Sequence, residues 1–330
     1  MHMSDALVSP PVFAATGAVS IALIAIAVRK IGRRGDARSL APRERQIVPL
    51  MGVAGAFVFA AQMINFSIPG TGSSGHIVGG ILLAALLGPW AAFLALCSVL
   101  ILQCLVFADG GFLALGCNIL NMAALSCLVA YPFVFRPLMR RDASTGRIFA
   151  ASILAAVAAL ETGAAAVTAE TELSGITALP AGRFLLFMMP IHLAIGLCEG
   201  VATAAVLCVV RRYRPELLAD AAGTEAEKRR SLAGAAAVIA LAALLTGGVS
   251  HIASSDPDGL EWSIERTAGT AEPADAADGP LHRAAAAVAE RTAVMPDYDS
   301  TFAGVLGGLI VVALLWGFCS IIFRKRHAKA

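Results

Sequence analysis

The chain is poor in charge and in aromatic residues. Asp, Glu, Lys and Arg make up 15% of its 330 residues, and Phe, Trp and Tyr only 6%. A water-soluble domain of this length needs a larger charged surface, so that class is excluded. No C-x-x-C pair occurs. The seven cysteines (Cys97, Cys104, Cys117, Cys127, Cys198, Cys208 and Cys319) all fall in apolar runs. They read as small buried hydrophobes and not as a redox pair or thiolate metal site. No G-x-x-x-x-G-K-[ST] is present, since none of the four lysines follows a glycine. ATP hydrolysis by this chain is thereby excluded. There is no H-E-x-x-H either. A net charge of +2 gives no basic field for nucleic acid. Finally, no Lys or Arg precedes Arg29.

What the chain has in abundance is apolar length. It is 58% hydrophobic with a mean hydropathy of +0.77. Several runs approach the ~20 residues that cross a bilayer as a helix, and they are too continuous for barrel strands. The expectation is an all-α integral membrane protein. Spans are expected at about 11–29, 46–66, 76–88, 90–108, 112–135, 147–169, 183–210, 231–249 and 302–323. The third is short and carries a second reading, a broken or re-entrant helix shielded by protein. The first span lacks the basic n-region of a signal peptide, so it is expected to stay in the protein.

The basic residues then fix an orientation. Arg29, Lys30, Arg33, Arg34, Arg38, Arg43 and Arg45 follow the first span, and further basic clusters lie at 136–141, 211–230 and 324–326. By the positive-inside rule the N-terminus is outside and the C-terminus inside. The polar stretch 213–230 reads as a cytoplasmic linker. It divides a seven-span module, 1–212, from a two-span module, 231–330, with an acidic outside loop at about 250–301. Within that loop Leu281–Arg291 is a possible short helix, and the acidic residues read as a solvated surface or a gate.

An outer N-terminus gives Met1-His2 chemical meaning. The amine and the His2 backbone nitrogen close a five-membered ring on an ion; the backbone nitrogen and Nδ1 close a six-membered one. A deprotonated amide nitrogen favours square-planar Ni(II) or Cu(II). The fourth donor is expected from His76, in the outside segment Gly70-Thr71-Gly72-Ser73-Ser74-Gly75-His76, whose imidazole the start of the third span would fix. The competing reading is a chance histidine beside an ordinary turn. A four-nitrogen site leaves no place for an activated water, which weighs against an intramembrane metalloenzyme.

Polar residues inside the spans carry two readings each. Gln62, Asn65, Asn118 and Asn121 either glue helices through interhelical hydrogen bonds or support His2 and His76. His192 and Glu199, seven apart on one helical face, are functional candidates or a structural ion pair or cap. Asp109, in Asp109-Gly110-Gly111, reads as turn chemistry.

Several segments resemble a known family. These are Met1-His2-Met3 through Pro10, Gln62-Met63-Ile64-Asn65-Phe66 through His76, Phe107-Ala108-Asp109-Gly110-Gly111 with Gly116-Cys117-Asn118-Ile119-Leu120-Asn121, and His192-Leu193-Ala194-Ile195-Gly196 with Glu199-Gly200. Together they resemble the CbiM/NikM substrate-binding subunits of nickel/cobalt energy-coupling-factor transporters, over roughly 1–210. Asp256-Pro257-Asp258-Gly259-Leu260-Glu261 resembles the small accessory subunit with a PDGLE domain. The resemblance implies a fused protein whose N-terminus threads into the bundle. It implies a metal held by the Met1 amine, the His2 backbone and imidazole nitrogens, and His76. It further implies transported Ni(II) or Co(II), a separate transmembrane coupling subunit and separate ATP-binding cassette ATPases in the cytoplasmic membrane. The opening Met3-Ser4-Asp5-Ala6-Leu7 departs from many relatives, and the loop 68–73 is slightly long. A stand-alone metal permease or sensor is the alternative.

Overall fold

The structure, a computed structural model, describes residues 1–33, 42–139, 143–213, 218, 254–270, 279–296, 306–315 and 317. Side chains of 42–46 and 48 lie outside the description, as does the eighth expected span at 231–249 and most of the linker.

Proline opens the first helix, α1 (Pro10–Arg33), where the missing N–H costs nothing. Then come α2 (Pro42–Gln62), β1 (Phe66–Ile68), β2 (Ser73–Gly75), α3 (Gly80–Leu87) and α4 (Pro89–Val106). A helix over Leu115–Leu138 (α5), π-wound across Ile119–Phe135, leads to α6 (Thr145–Ser174) and α7 (Ala181–Tyr213). The C-terminal part contributes α8 (Gly259–Ala268), α9 (Pro280–Thr292) and the apolar helix Leu306–Leu315 (α10). Among the described residues five helices, α1, α4, α5, α6 and α7, are long and apolar enough to cross a membrane.

Small residues set the helix spacing. Gly196 and Gly200, four apart on α7, meet the backbone of α6 so closely that an added Cβ would sit 3.0 Å from Val157 Cα and 2.4 Å from Ile153 Cα. This is the small-x-x-x-small packing that brings membrane helices together without a hydrophobic driving force. Most of α1 faces outward, with Ile21 69% exposed, as suits a lipid-facing element. Its inner face is tied to α5 by Ser20, whose hydroxyl donates to Gly116 O at 2.9 Å.

Three expectations need correction. The third span is α3, eight fully buried residues, too short to cross a bilayer alone. It is the shielded broken helix of the second reading, joined to α4 through Gly88. His76 precedes α3 and does not start it; it sits in the short connection between β2 and Gly79. The fold is also not purely helical. Phe66–Ile68 and Ser73–Gly75 pair antiparallel, in the register Phe66 to Gly75 and Ile68 to Ser73. That ribbon satisfies backbone groups which a buried loop would leave unpaired.

The loop 250–301 contains the expected helix, at Pro280–Thr292, and a second one at Gly259–Ala268. Both pack on the first module. Ser254 N donates to Asn65 O (2.8 Å), Ser74 N to Pro257 O (2.8 Å), Trp262 Nε1 to Thr71 O (3.0 Å) and Met295 N to Val106 O (3.1 Å).

Candidate metal centre

Residues 1–9 run into the mouth of the bundle. Met1, Met3, Leu7 and Val8 are all buried. The segment has only one 3-10 turn of its own, Asp5–Leu7, so side chains supply most of its other partners. Asn118 brackets Met3: its Oδ1 accepts from Met3 N at 2.8 Å and its Nδ2 donates to Met3 O at 3.2 Å. Gly111 N also donates to Met3 O, at 2.8 Å. Asp5 Oδ1 accepts from Leu113 N and Ala114 N, and the His282 ring on α9 reaches Val8 O at 3.0 Å. Each bond holds a chain whose apolar side chains are already out of water, so the segment is docked by burial and registered by hydrogen bonds.

This threading brings the expected ligands together. The His2 and His76 rings stack with centroids 5.2 Å apart and planes 21° apart. His76 Nδ1 lies 3.1 Å from Ile77 O. A carbonyl only accepts, so Nδ1 carries the proton and Nε2 the free lone pair. His2 Nδ1 lies 3.1 Å from Asp109 Oδ1, and its Nε2 is buried without a partner among the described residues. Burial lowers the pKa of both rings. For His76, burial, the Met1 ammonium and His2 bring it down to about 4. Both are therefore neutral at pH 7, the form that binds metals.

The Met1 ammonium donates to Asp258 Oδ2 at 2.7 Å. Burial works against a charged Asp258, but the adjacent ammonium outweighs it and holds the carboxyl well below its usual range. Asp258 is at the same time the N-cap of α8. Its Oδ1 accepts from Leu260 N and Glu261 N at 2.8 Å each, while Glu261 Oε2 accepts from Asp258 N at 3.2 Å. The motif Pro257-Asp258-Gly259-Leu260-Glu261 is thus a reciprocal capping box with a job at each position. Pro257 O receives Ser74 N, Asp258 caps and clasps, and Leu260 is buried. Gly259 leaves room for α7: a Cβ there would lie 3.0 Å from Ile195 Cδ1 and 3.3 Å from His192 Cε1.

The amides divide by role. Gln62 Nε2 donates to Val78 O at 2.8 Å, and Gln103 Nε2 donates to Gln62 Oε1 at 2.8 Å. Glu199 accepts from Val78 N (2.8 Å) and Gly79 N (3.0 Å). The two α2 and α7 side chains therefore clamp the backbone immediately after His76. Gly79 is required there: its φ of 77° and a Cβ position 2.6 Å from Val58 Cγ1 suit no other residue. Asn121 donates to Glu170 Oε2 at 2.6 Å and to Met3 Sδ at 3.8 Å. Asn65 lines the cavity beside His2 and His76 and holds Ser254 through its carbonyl. His192 and Glu199 form no ion pair with each other; Glu199 is a cap, and His192 Nδ1 lies 2.8 Å from Met188 O.

Two functional residues escape the sequence reading. Asp109, read as turn chemistry, meets His2; Asp258, read with a solvated acidic loop or gate, meets Met1. The Asp258–Glu261 spacing was the available signal for a helix start. Among the described residues no three His, Cys, Asp or Glu side chains could hold an ion together. The nitrogens gathered here come instead from the first two residues and one further imidazole. They adjoin an open cavity of about 500 Å³ whose walls include Asp109, Asp256, Asp258 and Glu261.

Comparison with known proteins agrees with this geometry. Residues 2–217 match the family model CbiM, described as the cobalt uptake substrate-specific transmembrane region. The chain belongs to the CbiM family. Residues 233–324 match the PDGLE domain, so this is a CbiM domain and a PDGLE domain on one chain. The fused nickel transport protein NikMN of Rhodobacter capsulatus is 33% identical over 350 residues, covering 96% of this chain and 95% of that protein. The cobalt transport protein CbiM of Geobacter sulfurreducens is 28% identical over 281 residues, 81% of this chain and 78% of that one. The crystal structure of a truncated transition metal transporter matches with 30% identity and a TM-score of 0.53, over 64% of this chain and 99% of that one. With its apolar helices, this CbiM-family chain is a multi-pass membrane protein and a transporter rather than an enzyme.

Proposed function

We propose that this CbiM-family chain captures Ni(II) or Co(II) outside the cytoplasmic membrane and passes it inward. In this reading it is the substrate-specific subunit of an ATP-driven energy-coupling-factor importer. Its module 1–212 binds the ion, 213–230 links, and 231–330 covers the site. The observation that carries the reading is the docked N-terminus, which sets His2 against His76 at 5.2 Å beside the Met1 amine. The ligands are the Met1 amine, the His2 backbone nitrogen and Nδ1, and His76 Nε2. Gln62 holds the backbone after His76, and Asn118 and Asn121 hold Met3; Asn65 stands at the cavity wall. The ion enters through the acidic cavity; as it binds, the Met1 ammonium and the His2 amide each release one proton, and His2 Nδ1 gives up the proton it directs at Asp109, which the ring can regain at its unpartnered Nε2. Four nitrogen donors in a plane favour nickel. The names of the relatives, nickel in one and cobalt in another, support this ion class.

The test is calorimetric Ni(II) binding by the purified chain and by His2→Ala, His76→Ala and a variant with one Ala inserted between Met1 and His2. Loss of a ligand or of the ring sizes is expected to weaken binding by more than about 100-fold, beyond the range seen for outer-shell partners. Wild-type affinity in the insertion variant refutes the chelate. The coupling is tested by uptake in vesicles carrying a transmembrane coupling subunit and ATPases; uptake that persists without the ATPase points to a stand-alone permease.

A further inference from the structure

His192 is left over by this account. It lies on α7, 1% exposed, in a helix whose buried carboxylate, Glu199, already has a structural task. Its Nδ1 is 2.8 Å from Met188 O, which can only accept. Nδ1 therefore carries the proton, and Nε2 presents a lone pair. Nε2 is buried and has no partner among the described residues. A buried acceptor left unmatched is costly, and native structures retain few of them. His192 faces a void of about 10 Å³ that Met1, His76, Asp258 and Gly259 also line. That is about the size of a single water.

The opposite deficit belongs to Met1, another residue that lines this void. The Met1 ammonium has three N–H donors. Among the described residues its one hydrogen bond goes to Asp258. An acceptor without a donor and a donor without enough acceptors thus belong to two residues that line one small void.

We propose that His192 Nε2 is the second acceptor for the N-terminal amine, directly or through one water in the void, and that it thereby aims the amine at the metal. This rests on the metal-capture reading above. A neutral amine nitrogen has four tetrahedral directions: the bond to Cα, two N–H bonds and the lone pair. Asp258 fixes one N–H and His192 the other. With Cα held by the docked N-terminal segment, only one direction remains for the lone pair. His192 is a positioning residue; it acts on the ion through Met1.

The test uses the full-length protein with Ni(II) as the only added metal. Affinity is read by competition with a chromophoric chelator, and coordination by the d–d absorption of bound Ni(II). His192→Gln carries a polar atom to the place of Nε2; His192→Asn reaches only that of Nδ1. Their chemistry and cost to folding are otherwise similar. Loss of one charge-free hydrogen bond predicts about tenfold weaker binding and an altered d–d spectrum in His192→Asn. His192→Gln should retain most of the affinity and the wild-type spectrum. Equal behaviour of the two variants overturns the proposal, whether both bind like wild type or both lose the ion. Should the wild type itself bind no Ni(II), the metal-capture reading falls and takes this inference with it. Wild-type binding with indistinguishable Asn and Gln variants removes the inference alone.

Discussion

Replacing Asp258 with Asn separates the two jobs of this side chain. Asn is as good an N-cap as Asp, and its Oδ1 can still accept from Leu260 N and Glu261 N, so α8 keeps its start. What changes is the partner of the Met1 ammonium. A carboxylate oxygen at 2.7 Å becomes either a neutral oxygen or an amide donor facing another donor. Hydrogen bonds to charged groups contribute about 1.5–3 kcal/mol. The buried-pair figure of about 3–5 kcal/mol is too large here, because the Asp258 side chain keeps 18% of its exposure and lies on the cavity wall. The docked N-terminus should therefore open roughly 10- to 150-fold more often. The assay is acylation of the metal-free protein by an amine-reactive ester near neutral pH, with the N-terminal peptide quantified by mass spectrometry. Asp258→Asn should label faster by that factor, and Asp258→Ala faster still, having also lost a cap worth about 1 kcal/mol. Equal labelling of the wild type and Asp258→Asn would refute the clasp. Slow labelling of Asn with fast labelling of Ala would show that the cap, and not the charge, docks the terminus.

Two further outcomes follow from the same geometry. Gly259→Val adds atoms where a single Cβ already lies 3.0 Å from Ile195 Cδ1, so α8 must lift from α7; protease sensitivity within 254–270 should rise while the α6–α7 pair stays protected, and unchanged cleavage would contradict the packing. The metal-free protein should lose stability as pH falls from about 6.5 through about 4, because His76 is depressed to about 4 when folded and must take up its proton on unfolding. His76→Gln should make that part of the melting-temperature profile shallower without abolishing its slope, because the buried His2 is lowered as well; an identical slope in both proteins would locate the effect elsewhere.

The membrane class was legible because it follows from composition and run length, which no tertiary contact can reverse. The candidate ligands were legible for a related reason: a histidine beside an amine has fixed ring sizes wherever it lies. The helix at Leu281–Arg291 showed in its composition. The helix after Asp258 did not, since its four-residue cap signal was submerged in an acidic loop. The third span misled because apolar length alone cannot distinguish a crossing helix from a buried half-helix. Asp109 misled because Asp-Gly-Gly serves equally as a turn or as a way to bring a carboxylate to His2.

Sequence alone determined the solvent of this protein, the chemistry available at its first two residues and the family to which its motifs belong. Those depend on residue types and local spacing. Tertiary structure decided which acids face those nitrogens. Asp109 and Asp258 come from two distant segments, and only the docking of residues 1–9 against α5, α6, α8 and α9 sets them beside the amine and the two stacked rings. A linear chain carries no signal for such meetings, because the burial of Met3, Leu7 and Val8 that enforces them is a property of the assembled bundle.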